Sequence, residues 1–239
     1  MSDSQTIADS KRAFHGLFPH VIPALYRRTA DELLVELHLL SHQKHFRADA
    51  LFAVGMLQVF ETFTRGYRPE AQLPMLFNAI CSCNGFDPAS LRAQAEQAIQ
   101  AVRAGGHNPE DVQQWIENKG VGAPEALAEG LKRADNASFH YSRLMAVGLL
   151  TLLLKAQGEE STDPEKMLEK AHQLGEAMGF SKPRVQKDLS IYTANLEKMT
   201  QAVELMEETL AAERRKRERE QAEPNVDSKP EEIVQGVSG

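Results

Sequence analysis

Four groupings of side chains could in principle carry chemistry. His38, His42 and His45 are spaced so that a helix brings them to one face, the arrangement a transition-metal ion asks of imidazoles. No cysteine or carboxylate completes that set locally, Leu39 and Leu40 give the stretch core character, and His45 falls past the expected helix end, so structural histidines are expected. Cys81 and Cys83, if helical, point about 200° apart and cannot share one metal without unwinding. Gly105 and Gly106 stand before His107 with neither a preceding strand nor the lysine of a phosphate loop, which reads as a loop and not a nucleotide site. Arg27, Arg28, Asp31, Glu32 and Glu36 repeat opposite charges at a spacing of four, the pattern of a solvated helix face. The sequence therefore offers no catalytic residue, no metal set and no cofactor site.

The elements that carry these residues say more. Val185, Leu189, Tyr192, Leu196, Met199, Val203, Met206 and Leu210 recur at alternating steps of three and four, an apolar seam sustained for more than three heptads. One helix cannot bury its own face, so this seam requires a second surface. The composition, 239 residues with 42% hydrophobic and 26% charged, is that of a globular chain, long enough for one large domain or two small ones. A formal net charge of -7 supplies no general attraction to nucleic acid or to anionic lipid, which leaves such contact to local patches. Two cysteines one residue apart cannot staple a fold, and a reducing compartment follows.

Punctuation by proline and capping residues is frequent and hairpin turns are missing, so the chain reads as all-α: a bundle-like globular domain with a long, partly projecting C-terminal helix of coiled-coil type. Helices are expected near Ser10–Leu17, Pro23–Ser41 and Asp49–Thr64, and after Pro69, Pro88, Pro109, Pro124 and Pro164, with Asp87, Asn108 and Asp163 as caps. Leu51, Phe52, Met56, Val59, Phe60 and Phe63 form the buried face of the third. Leu144–Leu154, within an expected helix Phe139–Lys155, spans only about 16 Å and reads as a buried central helix, too short for a bilayer. The expected organisation is a flexible segment 1–9, a helical domain 10–180, a helix 181–222 of about 60 Å and a disordered tail 223–239.

Three dispositions of the last helix stay open: packing of its first half on the body with the rest projecting, contact with a partner throughout, or a homodimeric coil. The positions flanking the seam are largely uncharged, and Ile191 and Leu205 broaden it, which disfavours the homodimer. Arg214, Arg215, Lys216, Arg217 and Arg219 alternate with Glu213, Glu218 and Glu220, a solvated helix end or an electrostatic contact with an acidic partner or anionic leaflet.

Several blocks, in order, carry a resemblance: DSKRAF at Asp9–Phe14, Phe18-Pro19, LYRRTADELLVELHLL at Leu25–Leu40, FRADALFAVG at Phe46–Gly55, FTRGYRPE at Phe63–Glu70, FHYSRLMAVGL at Phe139–Leu149 and KDLSIYTANL at Lys187–Leu196. Together they resemble the thylakoid formation proteins, also called photosystem II biogenesis proteins. No such block lies in Arg103–Gly122 or after Ala222. The resemblance implies a non-enzymatic auxiliary factor in photosystem II biogenesis and repair and in thylakoid membrane formation, associated with FtsH-type membrane proteases that it binds and stabilises. The alternative is a thylakoid membrane-surface scaffold without a protease partner.

The absence of a transit segment before Ser10 suggests the cyanobacterial form, peripheral on the cytoplasmic side of the thylakoid with a soluble pool. Photosystem II assembly components are further partners to expect, peripheral membrane contact is allowed, a homodimer is not favoured, and nucleic acid is not expected. The resemblance transfers no catalytic or cofactor residue. Candidate partner-binding residues are Leu196, Met199, Val203, Met206, Leu210, Arg214, Arg215 and Arg217 on the last helix, and Tyr141 and Arg143 at the start of the central helix. Tyr141, Ser142 and Arg143 have a second reading, in which they satisfy loop groups inside the fold.

Overall fold

In the computed structural model, which describes residues 5–132, 140–158 and 164–222, every regular element is a helix. The order is α1 (Ile7–Leu17), α2 (Ala24–Ser41), α3 (Ala50–Phe63), a 3-10 turn (Glu70–Gln72), α4 (Leu73–Ser82), α5 (Pro88–Ala104), α6 (Pro109–Glu117), α7 (Glu125–Lys132), α8 (Arg143–Gln157), α9 (Pro164–Ala177) and α10 (Lys182–Ala222). The all-α expectation with a long C-terminal helix holds. Residues up to Lys198 form one compact unit, and a second begins at Met199, so the boundary falls inside α10.

Local chemistry explains the starts. Asp87 accepts from the Ala89 amide at 3.0 Å to cap α5, and Asn108 and Asp111 exchange side-chain and backbone bonds in a capping box that opens α6. The expected cap Asp163 lies outside the described residues. Three expectations shift. Thr6 and Asp9 form a capping box, so α1 begins at Ile7, inside the segment read as flexible. After Pro69 comes the 3-10 turn, and α4 opens only at Leu73, with Pro74 in its first turn. The central helix starts at Arg143 because the Ser142 hydroxyl accepts from the Leu144 amide, 3.2 Å away. Phe139, the expected first residue, and the expected tail 223–239 lie outside the described residues.

The core of the first unit is α3 against α8, its most extensive helix pair. Every residue from Ala50 to Met56 and from Leu144 to Leu153 is buried, so these stretches of the two helices need cover all round. They approach backbone to backbone through two glycines. A Cβ built on Gly55 would lie 1.7 Å from the Leu144 carbonyl oxygen, and one on Gly148 would lie 2.0 Å from that of Leu51. The relation is reciprocal: Leu51-Phe52-Ala53-Val54-Gly55 faces Leu144-Met145-Ala146-Val147-Gly148, each stretch following its own cap, Asp49 or Ser142. The echo continues downstream. After α4, the Phe86 amide donates to the Cys81 carbonyl (3.1 Å) around Gly85, and after α9 the Phe180 amide donates to the Gly175 carbonyl (2.9 Å) around Gly179. Both glycines are left-handed, with φ of 78° and 79°, the conformation in which a glycine ends a helix at lowest cost. Each turn then feeds the next helix, α5 or α10.

Candidate interaction surfaces

The chemistry-bearing residues come first. His38 is buried and its Nδ1 lies 2.9 Å from the Ser10 hydroxyl, while His42 Nδ1 donates to the His38 carbonyl at 2.8 Å. Burial first, then the neighbouring His42, holds His38 below the ordinary imidazole value, which favours the neutral ring. His45 sits in the loop after α2, and among the described residues no three His, Cys, Asp or Glu side chains are grouped to hold a metal. Gly105 ends α5 and Gly106 continues the turn into α6, where the His107 ring packs edge-on against Trp115.

Cys81 and Cys83 are both free and buried; desolvation pushes the Cys81 thiol up to about 12 and that of Cys83 up to about 11. An aromatic disulfide reagent at mildly alkaline pH is expected to titrate neither thiol in the folded protein and both in denaturant. Fast labelling of one thiol under native conditions would contradict this burial.

The start of α8 is tied into the fold by two short bridges. Ser142 Oγ donates to Glu36 Oε1 (3.2 Å) and Arg143 Nε donates to Glu36 Oε2 (2.7 Å), joining α8 to α2. Burial drives the Glu36 carboxyl above its ordinary value, although Arg143 and then Ser142 pull it back. Glu36 was expected on a solvated helix face; instead its side chain is only 16% exposed, because its cation comes from a distant helix. Among the described residues, Arg28 and Glu32, 2.8 Å apart, form the local pair the spacing implied. Tyr141 donates its hydroxyl to Asp188 Oδ2 at 2.9 Å, packs on Phe180 and lies under the Arg184 guanidinium. Burial and then the Asp188 charge hold the Tyr141 hydroxyl well above its usual value, so it stays a donor. Tyr141 and Arg143 are thus bonded within the first unit, an arrangement that favours their structural reading.

The seam of α10 changes along its length. Val185 and Leu189 are fully buried in the first unit, and the Tyr192 ring meets Phe63 edge-on. Leu196 helps wall a cleft of about 990 Å³ with Leu150, Leu154 and Tyr192, on which Arg103 and Lys155 also lie. In the second unit Met199 and Val203 are buried, Met206 is half-buried, Leu205 and Leu210 are exposed, and residues 211–219 are all exposed. At about 100° per residue, Met206, Leu210, Arg214 and Arg217 fall within about 80° of one another, whereas Arg215 points the opposite way. An apolar strip therefore grades into cations along one face.

The sequence model of the thylakoid formation protein family matches residues 6–221, running through Arg103–Gly122, where the recognised blocks are missing. A protein called Thf1 from Prochlorococcus marinus (strain MIT 9313) is 62% identical over 238 residues, covering 99% of this chain and 97% of its own. Another Thf1, from Synechococcus sp. (strain CC9605), is 52% identical over 92% of this chain and 95% of its own. A solved structure of Psb29 at 1.55 Å matches with a TM-score of 0.73 and 34% identity, over 89% of this chain and 98% of that one. These likenesses span both the blocks quoted above and the helical architecture, and on them the chain belongs to the thylakoid formation protein family.

Proposed function

We propose that this chain is a non-enzymatic auxiliary factor in photosystem II biogenesis and repair, acting at the thylakoid by binding and stabilising FtsH-type membrane proteases through the distal part of α10. The observation that carries the contact is the face Met206–Leu210–Arg214–Arg217, where an exposed leucine and two cations extend beyond the buried part of the seam. Such a face suits a partner that offers an apolar spot next to acidic side chains. Among the described residues no helix is long and apolar enough to cross a membrane, which fits a peripheral role. Photosystem II assembly components are secondary partners in this reading, and the cytoplasmic face of the thylakoid is its proposed place of action.

Buried Met199 and Val203 are poor probes of the contact, since replacing them disturbs packing as well as capture. The test uses exposed positions. Tagged full chain and its Leu210→Asp/Arg217→Glu variant are incubated with gently solubilised cyanobacterial thylakoids, and the captured proteins are identified by mass spectrometry. Protease subunits recovered with the unaltered chain and lost, at unchanged helical circular dichroism, with the variant support the reading. Equal recovery with both removes α10 from the contact, and no protease with either removes the protease.

A further inference from the structure

Among the described residues of the first unit, the turn between α1 and α2, Phe18 to Pro23, carries the most exposed large apolar side chain. Val21 is 83% exposed at its tip, with Leu17 (48%) closing α1 and Leu25 (37%) opening α2. Three large apolar side chains within nine residues, at one end of a helical hairpin, exceed the scattered single exposures normal for a soluble surface. The ends of the turn are anchored: Phe18 is buried and stacks with Phe14, and the Arg27 guanidinium donates to the Ile22 carbonyl. The tip is therefore held outward by its own frame.

Beside the tip lies a concavity of about 440 Å³ in which Lys11, His15, His20 and Arg27 meet Val21 and Ile22, with Asp31 its one carboxylate. Arg12 and Arg28 stand on the same two helices and are already satisfied by Asp9 and Glu32. Lys11 has no ion pair among the described residues. In a chain of net charge -7, cations converging on an apolar tip mark a local exception to the overall field. A freely diffusing anion would use the cations and leave Leu17, Val21 and Leu25 in water. A membrane surface uses both, since the apolar tip enters the acyl boundary while lysine and arginine meet headgroup charge.

We infer that the α1–α2 turn is a membrane-docking element, in which Leu17, Val21 and Leu25 insert at the interface of an anionic lipid surface and Lys11 and Arg27 bind its headgroups. This contact uses residues of the first unit, distinct from those of the distal α10 face, and does not depend on the protease reading. Because Cys81 and Cys83 are buried, a Val21→Cys chain can be labelled at the tip with an environment-sensitive fluorophore. The labelled full chain is mixed with vesicles of phosphatidylcholine and phosphatidylglycerol, and with vesicles of phosphatidylcholine alone.

The expected result is a blue shift and protection from an aqueous quencher with the anionic vesicles only. Lys11→Glu/Arg27→Glu is expected to lower vesicle partition at least about 25-fold, taking about fivefold for each cation at a charged leaflet. Val21→Asp should lower it too, at unchanged melting temperature, while Arg214→Glu/Arg217→Glu should leave it intact. Three results overturn the inference: no co-sedimentation with anionic vesicles; co-sedimentation with the tip label still in water, which moves the contact elsewhere; or unchanged vesicle binding by Val21→Asp with loss of a captured acidic protein, which makes the tip a protein dock.

Discussion

Gly55→Ala or Gly148→Ala is expected to destabilise the protein by about 3 kcal/mol, seen as a fall in the denaturant midpoint and of roughly 6–12 °C in melting temperature. The sign is diagnostic. An alanine placed in the middle of a helix normally stabilises it by up to about 1 kcal/mol relative to glycine. Here the added methyl would meet the Leu144 or Leu51 carbonyl oxygen at 1.7 or 2.0 Å, a backbone group that cannot rotate away. Relief requires α3 and α8 to separate, and they bury the centre of the first unit between them. Gly16→Ala is the matched control: nothing stands within 4 Å of a Cβ there, and the change should be neutral or mildly stabilising. If Gly55→Ala behaved like that control, the close approach of α3 and α8 would be disproved.

The second large effect concerns the bridge from α2 to α8. Arg143→Ala leaves Glu36, whose side chain is 16% exposed, with only the Ser142 hydroxyl. Removing one member of a buried pair costs about 3–5 kcal/mol, but the Arg143 side chain is 38% exposed, and with solvent screening about 2 kcal/mol is expected. Glu36→Gln has a different signature. Burial raises the Glu36 pKa on folding, so its contribution to stability is present below the unfolded value near 4.5 and lost as pH rises through the higher folded value. The Gln variant should therefore gain melting temperature relative to the parent at neutral pH, and lose that advantage near about pH 4, where the parent carboxyl is protonated. A pH-independent difference between the two would show that Arg143 fully offsets the burial.

What the sequence made legible was governed by local rules. Asp87 and Asn108 announce α5 and α6 because a cap and its target amide lie within three residues, and Leu144–Leu153 declares a buried helix because every residue in it but Thr151 is apolar. The clearest miss comes from a partner far along the chain. Glu36 has a local cation pattern around it, yet its actual partners are more than a hundred residues away, so spacing alone sent it to solvent. The apolar seam of α10 was visible, and packing of its first half on the body was among the dispositions left open; the buried Val185 and Leu189 and the exposed Leu210 agree with that one. Of the candidate contact residues, Arg215 lies on the other side of the helix from Met206, Leu210, Arg214 and Arg217, and a run of cations does not reveal which of them continues the apolar face. The α1–α2 turn escaped notice for a plainer reason: exposure of Val21 is a property of the frame around it, and no motif encodes that.

The facing glycines also set a timetable for biosynthesis. Gly55 and Gly148 lie about 90 residues apart, so at roughly 5–20 residues per second α3 leaves the ribosome on the order of ten seconds before the helix that covers it. Throughout that interval a helix whose first two turns are buried on every side has chiefly α5 and α7 to lean on, and the contact that completes the core carries a long loop-closure cost. The nascent chain, more than the finished one, is where this protein is open to chaperones and to wrong partners.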